Sequence, residues 1–280
     1  MSRVSLAALA RQPVNRTLRV RHRMLQTPVV RFEHQGTGRT VTVIAVVHIA
    51  QASYYRRLHA ILTKLEAAGA VIYYEQIGSA AATEWSAASH AERDARDAAA
   101  ADRREYPQAV CRYLGWVGQQ DALAYAASWR NVDMTDLELV QRSGPQAILD
   151  QHTAFADMLG GWTQDQREVL VGAGAAILLR LISLDRRRLL LHLAGRIEAS
   201  IRHTNRVLVD DRNTRALAAL PSDTDSVMVW GSGHLPGLAA GLQQAGYQRQ
   251  ASGWLNAGEL PPLQASAKAI WAVLREQRRR

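Results

Sequence analysis

A mixed, mostly parallel α/β sheet formed by both ends of the chain is predicted by three observations. Apolar, β-branched runs sit near both termini. Each of the clearest ones leads into a helical pattern. Between them lies a long Ala-, Arg- and acid-rich stretch without strand-like alternation. At 280 residues and 48% hydrophobic, the chain can build a sizeable core. We read residues 1–280 as a single α/β domain, with residues 80–200 a mainly helical insert covering one sheet edge.

The elements follow in order. Residues 17–23 set Leu18 and Val20 against Arg19, Arg21 and Arg23, the period of a strand with one wet face. Residues 28–33 and 39–47 read as strands split by the turn-like HQGTG. Val41 to Val47 is almost wholly apolar, as in a strand buried on both faces. Ser53 is placed to cap the next helix, which carries Tyr54, Leu58, Ile61, Leu62 and Leu65 at helical spacing, and Gly69 stops it. Val71 to Tyr74 is the following strand. This strand–helix–strand unit makes its two strands parallel.

Residues 80–124 read as two helices joined near Pro107, and residues 129–134 as a short strand. Capping boxes at Thr135/Glu138 and Thr163/Gln166 announce helices that run, with breaks at Gly144-Pro145 and Gly160-Gly161, to about Ala219. Pro221 ends this region. Val227 to Trp230 is a buried strand, Gly231 to Gly233 a tight turn, and Leu235 to Ala245 a helix stopped by Gly246. A strand near Tyr247 to Gln250, a Pro-Pro turn and a helix from Ala265 to Arg275 complete the chain.

Composition narrows the functional classes. The net charge is +9, and Lys64 and Lys268 are the only lysines among 34 basic residues. The arginines are scattered, with clusters at Arg16 to Arg23, Arg186 to Arg188 and Arg278 to Arg280, and read as solvated faces. Nucleic-acid binding would call for a basic stripe with interleaved aromatics, and only 2 Phe are present. The single cysteine, Cys111, rules out an intramolecular disulfide and a Cys-rich zinc site, and it reads as a small buried hydrophobe. The N-terminal LAALA patch is too short for a signal-peptide core, so a cytoplasmic address is expected. Val169 to Leu184 is shorter than a membrane span and is interrupted by Arg180. It reads as a buried or amphipathic helix that would serve as a homodimer surface or as a lid. The arginines that follow it leave membrane-surface association as a weaker option.

Two histidines stand at strand ends. His48 follows VTVIAVV, and His234 follows SVMVWGSG. Glu75 ends a third strand, and the strand–helix–strand unit brings it to the same sheet edge as His48. Open α/β sheets hold their ligands at such edges. Two imidazoles and one carboxylate with open positions match a catalytic metal site or an acid–base centre. Gly231 and Gly233 let backbone approach a ligand closely. Within Asp211-Arg212-Asn213, successive helical residues point about 100° apart, so the three cannot all face one site. Arg212 would anchor a carboxylate or oxyanion, and Asn213 would orient a water or an amide. Tyr55, on the helix after His48, joins Gly231, Gly233 and Arg212 as a candidate substrate contact.

VVHIAQASYYRRL followed by AVIYYEQIG resembles the opening block of the TraB/PrgY/GumN family and its Tiki protease relatives. VLVDDRNTRALAAL followed by SVMVWGSGHLPGLAAGLQQAGYQ resembles the closing block, an acid-Arg-Asn helix and then a Gly-x-x-His turn. Ala45 stands where the family has the first glycine, and Asp211 where relatives often have Glu. The resemblance covers about residues 39–78 and 205–255. It implies a Tiki- or erythromycin-esterase-like fold. It also implies a hydrolase that cleaves a peptide, amide or ester with water activated by a divalent ion (Mn, Co or Zn). His48, Glu75 and His234 would be the metal ligands or share metal and general-base duties, with Arg212 and Asn213 supporting catalysis. Some relatives are linked to silencing a peptide pheromone, and distant ones bind haem. The alternative is therefore a non-catalytic binding protein of the same fold that captures a peptide, haem or another small molecule.

Overall fold

The computed structural model describes residues 17–183 and 206–279. Arg16, the LAALA patch, Arg186 to Arg188 and the final arginine of the tail lie outside those residues.

The fold is α/β with a mixed sheet. Strands β1 (Arg19–Arg21), β2 (Met24–His34) and β3 (Thr40–Val46) come first. A short strand β4 (Ile49–Ala50), helix α1 (Ala52–Ala67) and β5 (Val71–Tyr74) follow. The helical middle comprises α2 (Ala82–Ala87), α3 (His90–Leu114), β6 (Val117–Gly118), α4 (Gln119–Ala122), β7 (Arg130–Asn131), α5 (Asp136–Ser143), α6 (Pro145–Met158) and α7 (Gln164–Ser183). After a π-helical turn (Arg206–Asp211) come α8 (Arg212–Ala218), β8 (Ser226–Gly231), a 3₁₀ turn (Ser232–His234), α9 (Leu235–Gln244), β9 (Tyr247–Glu259) and α10 (Leu263–Gln277).

β3, β8, β5 and β7 are mutually parallel, while β2 pairs antiparallel with β1, β3 and β9. The two strands of the strand–helix–strand unit, β3 and β5, are parallel as expected, but they are not neighbours. β8, from the far end of the chain, lies between them, with Val46 beside Gly231 and Tyr74 beside Val229. This insertion sets the C-terminal ends of β3, β8 and β5 side by side.

Both faces of the sheet are covered. On one, α1 buries Tyr54, Tyr55, Leu58 and Leu62 against Ile44, Val46, Ile72, Val227 and Val229. Each fully buried leucine contributes about 1.5–3 kcal/mol relative to exposure. On the other, Leu235, Leu238 and Leu242 of α9 and Ala216 of α8 pack on Val43, Ala45, Tyr73, Met228 and Trp230. The continuous apolar runs of β3 and β8 follow from having two such faces. The middle helices pack mainly on one another, α3 against α6 and α7, and α7 against α10. Among the described residues no helix is long and apolar enough to cross a membrane.

Several local expectations are corrected. The first strand does not run through residue 23, because His22 and Arg23 take positive φ values of 48° and 65° and form the turn between β1 and β2. Ser53 does not cap α1. The helix starts one residue before it, with Gln51 at the cap and no side-chain bond there. Pro107 does not divide two helices, since α3 continues through it. Proline removes one intrahelical bond, and packing of α3 on α6 and α7 outweighs that loss. The last strand is far longer than Tyr247 to Gln250. β9 runs alongside the whole of β2, with register shifts between Leu25 and Gln26 and between Arg31 and Phe32 that blur the alternation visible in sequence. The capping boxes at Thr135/Glu138 and Thr163/Gln166 form, and a third at Ser89/Glu92 opens α3.

Candidate functional site

Three strand ends deliver three side chains. Glu75 directly follows β5, and its backbone N–H still donates to Val229 O at 3.1 Å, which fixes it against β8. His48 leaves the end of β3, and its carbonyl accepts from Gln119 N at 2.8 Å. His234 closes the 3₁₀ turn after β8. Gly231 sits where they meet. A Cβ there would lie 3.0 Å from Glu75 Oε2, 3.5 Å from His48 Nε2 and 3.5 Å from His234 Cδ2. The Gly231 N–H donates to Glu75 Oε2. A side chain here would press on the carboxylate, which would have to give by a few tenths of an ångström. Gly233 has no such demand, since a Cβ there would meet open space.

Glu75 is the electrostatic centre. Its Oε1 accepts from Arg212 Nη2 at 2.6 Å and lies 3.4 Å from His234 Nε2. Burial alone would push its carboxyl up. The His234 hydrogen bond, the Arg212 guanidinium and the two imidazoles outweigh that, and hold it well below the usual carboxylate range.

Arg212 is not an open anion anchor. It grips Asp133 with two bonds, Nε to Oδ1 at 2.8 Å and Nη2 to Oδ2 at 2.5 Å, and it donates from Nη1 to Leu208 O at 3.2 Å. Its guanidinium is committed to Asp133 and Glu75, so it holds Glu75 in place. Asn213 does not face substrate either. Its Oδ1 lies 2.8 Å from His234 Nδ1, and its Nδ2 is buried without a partner among the described residues. Asp211 turns away and pairs with Arg142 at 3.0 Å. The string is thus split between the site and the surface, as helical geometry requires. Tyr55 is fully buried behind the strand end, and its hydroxyl donates to Val47 O at 2.9 Å, so it is a core residue and not a substrate contact.

Two site residues were not anticipated. Asp133 closes the Arg212 pair just beyond β7, so four parallel strands end in polar side chains at one edge; the acid in WRNVDM carried that signal. Gln119 has no comparable signal. Its Oε1 lies 3.2 Å from His48 Nδ1, and its Nε2 donates to Tyr125 at 3.0 Å. Both imidazoles therefore have Nδ1 against an amide oxygen; donating there leaves Nε2 of His48 as an acceptor, whereas Nε2 of His234 faces the Glu75 carboxylate and bonds it only as a donor. His234 is buried and His48 is exposed.

The centre opens on a cavity of about 500 Å³ lined by His48, Glu75, Arg212, Gln119, Tyr125 and Arg103, among others. Cys111 also lines it and is only half-buried, not the core residue expected. Burial pushes its thiol up, away from thiolate chemistry.

The donor chemistry fits a divalent ion in part. The 3.4 Å between His234 Nε2 and Glu75 Oε1 is the separation two ligands of one ion would show. Asp133 balances Arg212, so the Glu75 charge stays available. Among the described residues, however, no three His, Cys, Asp or Glu side chains form a closed ligand cluster.

No family model matches the chain, and no significant match is found among curated proteins or solved structures.

Proposed function

We propose that the chain is a hydrolase of the TraB/Tiki-like type, acting on an amide or ester carbonyl held at the His48–Glu75–His234 centre. One observation carries this reading. Two imidazoles, each with Nδ1 against an amide oxygen, converge on one buried carboxylate beside a large cavity. In this reading His48, exposed at the cavity wall, uses Nε2 to take a proton from the attacking water and later returns it to the leaving group. Glu75 and His234 hold the opposite side of the centre, and Arg212 with Asp133 keeps the Glu75 carboxylate fixed and ionised. A divalent ion bound through His234 and Glu75 would supply a water of lowered pKa and polarise the carbonyl, with His48 left as the base.

The test is metal content by mass spectrometry, with turnover of ester and amide panels, for wild type and a His48→Ala, His234→Ala double variant. Retained Mn, Co or Zn and turnover in wild type alone support the reading. Wild type as metal-free and inert as the double variant after metal incubation sinks it. Turnover that survives chelation assigns the chemistry to His48 as base without an ion. A capture protein is the second reading, favoured because both Glu75 oxygens already have partners. Saturable binding with no product would establish it.

A further inference from the structure

A second cavity, of about 440 Å³, also touches this centre. It shares His48, Glu75 and Arg212 with the first and adds the Gly231 to His234 turn. Its remaining wall is overwhelmingly apolar, including Leu25, Val46, Trp116, Leu179 and Leu208. Tyr106 and Leu178, two of the few large apolar side chains exposed among the described residues, at 37% and 39%, also line it. The first cavity is different in character. Arg103 and Arg104 line it, and neither makes a hydrogen bond or salt bridge to another described residue. Asp136 acts on Arg103 only through its field. Beyond the Glu75–Arg212 pair, Asp121 is the one acid lining that cavity among the described residues, so its free charge is positive.

A reacting carbonyl at the centre would therefore adjoin both an apolar enclosure and a cavity lined by cationic side chains. We propose that the centre cleaves an acyl ester or amide whose acyl chain occupies the apolar cavity and whose anionic leaving part lies against Arg103 and Arg104. This rests on the hydrolase reading above. Water oxygen bonds to the acyl carbon, and the bond from that carbon to the ester oxygen or amide nitrogen breaks. The leaving atom takes a water proton through His48, giving a fatty acid and an anionic alcohol or amine. Each methylene buried in the cavity would raise kcat/KM by up to about 4-fold, and a guanidinium is well matched to a carboxylate or phosphate.

The experiment compares 4-acyloxybenzoates with acetyl, butyryl and octanoyl chains against their neutral methyl esters, using wild type, Leu179→Trp and an Arg103→Ala, Arg104→Ala double variant. Expected is a rise in kcat/KM of at least 10-fold from acetyl to octanoyl. Leu179→Trp should flatten that rise. The double arginine variant should collapse the preference for the anionic over the neutral ester by about 10-fold. Turnover without dependence on chain length or charge overturns the inference and leaves the hydrolase reading standing. If no ester turns over, the hydrolase reading falls. Calorimetric titration with the non-hydrolysable 4-octyloxybenzoate then decides occupancy: binding tighter than that of 4-ethoxybenzoate keeps the two-cavity assignment, and no binding overturns it as well.

Discussion

The Glu75 carboxylate and the Arg212 guanidinium meet at 2.6 Å, with side chains only 5% and 8% exposed, although the two residues are 137 positions apart in the chain. Asp133, with a fully buried side chain, completes the group. Removing one partner from a buried charge network leaves the others uncompensated, at a cost of about 3–5 kcal/mol. Arg212→Met should therefore destabilise by about that amount in denaturant unfolding, because two carboxylates lose their cation. Adding Asp133→Asn to Arg212→Met should recover part of the loss. If Arg212→Met unfolds at the wild-type denaturant midpoint, the network has no structural role.

Acid should weaken the fold through Glu75. Its pKa is depressed in the folded chain, so the unfolded chain takes up the proton first as pH falls. The contribution is complete above the ordinary carboxylate pKa of about 4.3 and is lost progressively below it. Stability measured from pH 6 to pH 3 should fall more steeply in wild type than in Glu75→Gln, by up to about 1.4 kcal/mol per pH unit from this one group. Parallel slopes would show that Glu75 keeps its ordinary pKa.

Asn213 acts on chemistry only through His234. Losing an outer partner of a functional histidine typically costs 10- to 100-fold in metal affinity or activity. Asn213→Ala should lower turnover by about that factor. Asn213→Asp keeps an oxygen acceptor at the 2.8 Å contact and should retain more activity. Equal losses in the two variants would reduce Asn213 to a packing role.

Gly231→Ala tests convergence at the centre. The added methyl would press on Glu75 Oε2 at 3.0 Å, where the backbone N–H now bonds the same atom. The carboxylate must shift, and kcat/KM should drop at least 10-fold while the circular dichroism spectrum stays unchanged. Unchanged kcat/KM would mean that the Glu75 position is not critical.

The strand ends were legible because each is announced by an uninterrupted β-branched run. That pattern, with the strand–helix–strand unit, puts His48, Glu75 and His234 at strand ends of one sheet. Less legible was the order of the strands: nothing in VIYYE or VMVWG says that β8 separates β3 from β5. The roles of Arg212 and Asn213 were misread for a related reason. A free guanidinium and a committed one look the same in sequence, and only the Asp133 contact separates them. Gln119 is not marked in the sequence, because a four-residue helix is too short to carry a periodic signal. β9 was cut short because its bulged pairing with β2 breaks the alternation that marks a strand.

The small residues of α9 supply the last prediction. A Cβ at Gly237 would come within 2.2 Å of Asn213 Nδ2, and one at Gly241 within 2.2 Å of Leu217 Cδ1. These two glycines, one helical turn apart, let α8 dock closely enough for Asn213 to reach His234. On an open helix face, Gly→Ala would stabilise by about 1 kcal/mol. Where the obstructing group cannot move, overpacking costs about 1–3 kcal/mol and reverses the sign. The two positions should still differ. At Gly241 the obstructing atom is the end of a leucine side chain, which can swing aside, so Gly241→Ala should cost little stability and no turnover. At Gly237 the obstruction is the amide that holds His234, so Gly237→Ala should lose stability and at least 10-fold in kcat together. Equal behaviour of the two variants in unfolding and turnover assays would show that the helix contact does not control His234.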